Sequence, residues 1–398
     1  MNGRLARGFQ LINTIEREGF EAVLVGGGVR DLFLGREVED IDIATAASYG
    51  DLARLFSAGK MIGPEGKRVF LLPFDEGACE VVSYSGGTLE DNLARRDFTL
   101  NALAMRSTGE ITGTARSRDD IEKRVLRFNG GPLDRLKEDP LRALRLPRFA
   151  ATLHGFKVDR ESSDAVRIAS VSLRRCAPER VGREVRLGLS GDALVFVRTL
   201  ARCGMTGVLS PLVGGRPNSA AIIRALKKLD NGCEPLLRRA ATIALFRGGE
   251  ECPDAEGESH IRSALEEWGW PSWLCARVGL FVRFRGVFSR DALPSQCAAL
   301  ILERGWEFWS SFFAVLDAGF DSSRANHARE VMASFLPRLA TMKELLPSGY
   351  ELMERLSLPE GPEVGRLLKK LEEEHVMQGF QSREHALERA EFLLGRAE

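Results

Sequence analysis

The stretch Val23–Thr45, VLVGGGVRDLFLGREVEDIDIAT, constrains this chain more than any other. An apolar run, Glu21 to Val25, predicts a short strand; Gly26, Gly27 and Gly28 predict a turn, followed by a brief helix and a second strand carrying Asp40 and Asp42. Successive strand side chains alternate faces, so Asp40 and Asp42 point one way while Ile41 and Ile43 point the other. Two carboxylates on one face suit a pair of divalent cations held about 4 Å apart. Mg²⁺ takes one or two carboxylates and completes its shell with water and phosphate oxygens. A solvated strand edge would carry the same triplet, so Asp-x-Asp alone does not decide. The glycines add to it: they let backbone approach a phosphate and turn N–H groups toward it, and Arg30 supplies a cation. GGGVRD lacks the G-x-G-x-x-G spacing of a dinucleotide-binding turn, and no long crossover helix follows.

A length of 398 residues predicts more than one domain. Lys+Arg and Asp+Glu both number 56, so a nucleic-acid partner would have to meet local basic stripes rather than a basic protein. Seven cysteines without paired close spacing fit a reducing cytoplasm and argue against a disulfide framework or structural zinc. The amphipathic N-terminus is too polar for a signal peptide, and no apolar run is long enough to span a bilayer, so a soluble cytoplasmic protein is expected.

Up to about residue 136 short strands mix with helices. Tyr49–Phe56 reads as a helix, and Lys67–Phe74 and Cys79–Tyr84 read as strands joined by the turn Asp75-Glu76-Gly77. Glu80 is either a third carboxylate for the acidic pair or an edge-strand glutamate. Beyond that point helical periodicity dominates, with glycine and proline breakers at Gly214-Gly215, Gly248-Gly249 and Pro347. The expected fold class is α+β: a small mixed sheet with helices at 1–136, then an all-α remainder divided at 137–210 and 211–398.

Two further segments carry chemistry. LARRDFTLNALAM, Leu93–Met105, brings Arg95, Arg96, Asp97 and Asn101 together, which suits a triphosphate and sugar hydroxyls but also a helix-surface ion cluster. In KEDPLRALRLPRF, Lys137–Phe149, Asp139 reads as an N-cap and Pro140 as a first-turn residue. Asp139, Arg142, Arg145 and Arg148 drift by about 60° per step along one helical face. Pro147 inside this helix predicts a kink or a lost backbone bond.

Together these segments resemble the superfamily of class II tRNA nucleotidyltransferases and bacterial poly(A) polymerases. Gly26, Gly27, Val29, Arg30, Asp31, Leu34, Gly35, Asp40, Asp42 and Thr45 match its GG-x-VRD-x-x-LG and D-x-D pattern. Leu93–Met105 matches RRDFT-x-NA, and Glu138, Asp139 and Arg142 match ED-x-x-R. Glu179, Arg180 and Glu184 match ER-x-x-x-E, an element that supports the ED-x-x-R helix. The resemblance implies a nucleotidyltransferase head (1–136), a helical neck (137–210), and a body and tail (211–398) that bind tRNA at its acceptor end and elbow. It makes Asp40, Asp42 and Glu80 catalytic, with two Mg²⁺ ions on Asp40 and Asp42. It places Gly27, Arg30, Arg96, Asp97, Asn101, Asp139, Arg142, Arg145 and Arg148 on the nucleotide. Asp139 and Arg142 would template the base, which has an exocyclic amine and acceptors in cytosine and adenine but no amine in uracil.

In complete CCA-adding relatives a long charged loop precedes the RRD motif. Here only SGGT, Ser85–Thr88, separates Tyr84 from Leu89, as in CC-adding members. CTP is the expected substrate. Complete CCA addition with CTP and ATP is one alternative, and poly(A) or A-adding activity is another. Gly66, Lys67, Arg68 and Phe70 echo the poly(A) signature, with Val69 at its aromatic position. A catalytically idle RNA-binding scaffold would need lost carboxylates. No HD pair marks an appended phosphohydrolase, and Lys227-Lys228 and Arg238-Arg239 are basic pairs for either RNA backbone or solvent.

Overall fold

A computed structural model describes residues 3–64, 68–74, 77–230, 232, 234–246, 254–285, 293–319 and 322–395. The chain divides into two compact units, Met1–Thr206 and Gly207–Glu398. The first begins with α1 (Gly3–Arg17), whose Leu11, Ile12 and Ile15 stripe is buried. Then follow β1 (Ala22–Val25), α2 (Gly27–Phe33), β2 (Ile41–Thr45), α3 (Tyr49–Leu55), β3 (Lys60–Ile62), β4 (Val69–Phe74) and β5 (Gly77–Ser83). The turn predicted at Asp75-Glu76-Gly77 lies largely outside the described residues, as do Gly66 and Lys67. After α4 (Leu89–Ala94) come β6 (Leu103–Met105) and β7 (Ile111–Gly113), completing a seven-stranded sheet of order β3-β4-β5-β2-β1-β6-β7.

Within that sheet β2 and β5 pair in parallel, and the other pairings are antiparallel. Every residue of β1 is buried, as are Ile41 and Ile43 of β2, because β-branched and other apolar residues pack well on a pleated surface covered by helices.

Next come α5 (Ser117–Glu122), β8 (Val125–Leu126), α6 (Pro132–Glu138), α7 (Arg142–Thr152), β9 (Lys157–Val158), α8 (Arg160–Ala169), α9 (Pro178–Ser190) and α10 (Ala193–Arg202). The two-residue strands β8 and β9 pair in parallel, a pairing the sequence did not suggest beyond residue 136. The α+β expectation is otherwise borne out.

The second unit is helical throughout its described residues, from Ser210–Val213 to Arg383–Leu393. One core gathers Phe281, Phe308, Trp309 and Phe312, with ring centroids 5.0–6.4 Å apart. Another gathers Leu352, Leu356, Leu367, Leu371, Ala386 and Ala390. Arg238 is buried, donating to Ser311 Oγ and the Asp230 carbonyl, so it is not the surface cation its basic neighbourhood predicts. Lys227 and Lys228 are exposed. Among the described residues no helix is long and apolar enough to cross a membrane.

Candidate active site

Strand β2 starts at Ile41, so Asp40 stands just before it and Asp42 is its second residue. The parallel register sets Asp42 directly beside Glu80 of β5. Since β5 lies between β4 and β2, Glu80 is not on an edge strand. Asp42 and Glu80 therefore fall on one face of the sheet, with Asp40 just ahead of β2; Asp42 is half-buried and the other two are exposed. Burial pushes the Asp42 carboxyl up to about 6, against the pull of Arg96, and the charges of Glu80 and Asp40 add to the rise. Hard oxygen donors that repel one another and resist ionisation are stabilised by a divalent cation, so the set fits Mg²⁺. Among the described residues no group of three or more His, Cys, Asp and Glu side chains is placed to hold a metal ion, so any ion here would rest on fewer protein carboxylates. An open site of this kind leaves coordination positions for water and phosphate oxygens.

The predicted three-glycine turn reduces to one residue. Gly26 adopts φ +75°, and α2 begins at Gly27. A Cβ at Gly26 would lie 2.5 Å from Arg96 Nη1 and 3.1 Å from Asp42 Oδ2. Gly26→Ala should therefore cost about 1–3 kcal/mol from its positive-φ backbone (φ +75°, ψ −138°) alone, and it should displace Arg96 as well. Thermal melting and turnover of the variant check this; a parental melting temperature would mean that the notch gives way.

Arg30, expected to face phosphate, is buried and anchored. It donates to both carboxylate oxygens of Asp31, at 3.0 and 2.7 Å, and its Nη1 donates to Asn101 Oδ1 at 2.8 Å. Asn101 Nδ2 donates to Asp97 Oδ1 at 2.9 Å, and Asp97 pairs with Arg145 at 2.9 Å. Asp97 and Asn101 are only 6% and 5% exposed, so the structure sets them behind Arg30 and Arg145 rather than on an open surface. Burial works against the charge on Asp97, but Arg145, Asn101 and the Phe98 amide outweigh it and hold the carboxyl below its ordinary range.

A cavity of about 610 Å³ opens beside this network, with Gly27, Gly28, Arg30 and Asp40 in one part of its wall and Asp139, Arg145 and Arg148 in another. That volume lies in the range of small-molecule sites. Asp139 is not the N-cap its sequence suggests. It ends α6, and α7 starts three residues later, at Arg142. Its Oδ1 accepts the Leu141 amide at 3.1 Å, and its Oδ2 accepts from Arg180 at 3.1 Å. Arg180 belongs to the ER-x-x-x-E segment, which thus braces Asp139.

Arg142 takes another direction: it does not line the cavity, and it binds Glu138 at 2.7 Å and the Arg95 carbonyl at 3.1 Å. The stripe predicted for Asp139, Arg142, Arg145 and Arg148 is broken because α7 starts late and α6 captures Arg142 through Glu138 and the Arg135 carbonyl. Arg148 pairs with Glu184 at 2.6 Å. Its guanidinium lies 3.8 Å from the Phe149 ring centroid, with those of Arg30 and Arg145 at 5.4 and 5.5 Å. Sequence reading passed over Phe149 as a ring among three cations, as well as Arg36, Glu37 and Glu39 of the cavity wall. Only the arginine-rich setting hinted at the first. Pro147 is buried, and α7 continues through it.

A family described as "Poly A polymerase head domain" matches residues 22–74 and 66–127. A CC-adding tRNA nucleotidyltransferase of Shouchella clausii is 45% identical over 184 residues, 46% of this chain and 48% of that protein. The chain thus matches about half the length of that relative. A CCA-adding enzyme of Enterococcus faecalis is 28% identical over 93% of this chain and 91% of its own. Among solved structures, the Bacillus stearothermophilus CCA-adding enzyme in complex with CTP is 25% identical, covers 100% of both chains and superposes with a TM-score of 0.69.

Proposed function

We propose that this chain, which belongs to the class II CCA-adding and poly(A) polymerase head family, adds CMP from CTP to the 3′ end of tRNA and supplies the two cytidines of the CCA end. The observation that carries the reading is the register of Asp42 beside Glu80, with Asp40 at the wall of a nucleotide-sized cavity. In the reaction the tRNA 3′-oxygen bonds to the α-phosphorus of CTP, the bond to the β-phosphate oxygen breaks, and pyrophosphate leaves. Asp40 and Asp42, with Glu80 alongside, would hold the Mg²⁺ ions. Bound Mg²⁺ supplies charge stabilisation for the attacking and leaving oxygens.

The remaining roles fall to the protein's own side chains. Arg30, Arg145 and Arg148, each held by a carboxylate, present fixed positive charge to the triphosphate, and Gly27 brings its backbone close. Asp97 and Asn101 position Arg145 and Arg30. Asp139, braced by Arg180, accepts from the exocyclic amine of cytosine. Arg142 must leave Glu138 to donate to the same base. Residues 1–136 form the head, 137–210 the neck, and 211–398 the body and tail that meet tRNA; the division at Thr206–Gly207 is in keeping with the last boundary.

Specificity for cytidine alone is supported by the short Ser85–Thr88 connection and by the similarity to the CC-adding relative. The 28% identity spread over nearly the whole of a CCA-adding enzyme favours a second reading, in which ATP is also used. A tRNA transcript lacking its CCA end, incubated with labelled CTP and Mg²⁺, should gain cytidine. Failure to label under any divalent ion would overturn the assignment.

A further inference from the structure

Arg96 stands apart from the arginines around it. Arg30, Arg145, Arg148 and Arg180 each lie within 3.1 Å of a dedicated carboxylate. Arg96 is half-buried; its Nη2 donates to Asn92 Oδ1 at 3.5 Å, and its Nε, like those of Arg145 and Arg148, has no hydrogen-bond partner. What it does have is Asp42. The Arg96 Nη1 and the Asp42 Oδ2 flank the same point, 2.5 and 3.1 Å from where a Cβ on Gly26 would be. A guanidinium cannot lose its proton at physiological pH, so its charge must be balanced by whatever anion is nearby.

We propose that Arg96 is the resident counter-ion of Asp42, neutralising that carboxylate while the site holds no divalent ion and opposing the ion when it binds. Nucleotide phosphates then offer Arg96 an alternative anion, so that ion and nucleotide binding are linked: each is tighter in the presence of the other. The inference rests on the reading that Asp40 and Asp42 hold divalent cations. Gly26 is the structural condition for it, since a side chain there would separate the two charges.

The test uses Mn²⁺ alone, with no nucleotide, on the full chain, and follows bound ion by electron paramagnetic resonance. Removing a like charge from beside an ion site should tighten binding, so Arg96→Gln should bind Mn²⁺ about tenfold more tightly than the parent, a change of about 1.4 kcal/mol. Arg96→Lys should stay near the parent, and Asp42→Asn should lose the site in either background. Arg96→Met replaces the Gln variant if that does not fold. As a second measurement, the rise in melting temperature on adding Mn²⁺ should be larger in the charge-removed variant. Equal Mn²⁺ affinity in parent and Arg96→Gln, with binding lost in Asp42→Asn, would leave the ion site standing and overturn the counter-ion role. Unchanged binding in Asp42→Asn would overturn both.

Discussion

Asp42→Asn should abolish nucleotide transfer while leaving the ion-free protein at least as stable as the parent. The two effects have one origin. Burial raises the Asp42 carboxyl from its ordinary 3.8 to about 6, so the folded chain prefers that group protonated. For a folded value above the unfolded one, the associated stability is fully present below pH 3.8 and is lost as pH rises through 6. The loss amounts to about 3 kcal/mol. Asparagine has the shape of the protonated acid and never takes on the charge, so the variant escapes that loss. Denaturant unfolding in the presence of a chelator should show the variant gaining on the parent between pH 4 and pH 7, with no further gain above. Activity moves the other way: on the proposed two-ion reading, losing the Asp42 carboxylate forfeits several kcal/mol of transition-state stabilisation, about a thousandfold in rate or more. A variant that keeps a tenth of parental turnover would exclude Asp42 from the machinery, whatever its stability.

The acidic strand was legible in the sequence because its logic is local. Alternation along five residues fixes which way Asp42 points, and the surrounding isoleucines fix which face is buried. Gly26 was legible for the same reason, although the positive φ belongs to it alone and not to a run of three. Glu80 was only half legible. Whether it meets Asp42 depends on a parallel pairing between strands some forty residues apart, and nothing local sets that register. Arg142 was misread in direction: helical spacing describes a stripe only where the helix exists, and α7 begins at Arg142 itself. Its guanidinium is then governed by the end of α6, through Glu138 and the Arg135 carbonyl. The relay from Arg30 through Asn101 and Asp97 to Arg145 joins four positions spread over more than a hundred residues. The sequence identified its members as polar and clustered by motif. It gave no sign that Arg30, Asn101 and Asp97 are all buried, or that Asp97 and Asn101 act by holding the two arginines.

Given CTP and ATP together, the protein should extend a tRNA lacking its CCA end by two cytidines and stop. A base site of one carboxylate and one guanidinium must be rearranged to exchange cytosine for adenine, because the purine is larger and displays its amine and acceptors in different places. The family resemblance read from the sequence implies that, in complete CCA-adding enzymes, the lever for that change is the long charged loop before the RRD motif. The corresponding segment here is a closed turn. Gly87 N–H donates to the Tyr84 carbonyl at 2.8 Å, Gly86 takes φ +83°, and Thr88 caps α4 by exchanging hydrogen bonds with Asp91. The turn is fastened at its start as well: the Tyr84 hydroxyl donates to Glu21 at 2.7 Å, and Arg106 holds the other oxygen of that carboxylate at 2.7 Å. Four residues at about 3.5 Å each cannot form such a turn and also reach out as a lever. Product lengths on a sequencing gel, with ATP in excess after CTP addition is complete, give the result directly. Addition of the terminal adenosine at a rate comparable to the cytidines would place the moving element elsewhere in the chain. It would point first to Arg142, whose contacts with Glu138 and the Arg95 carbonyl are the ones that must break for it to reach any base.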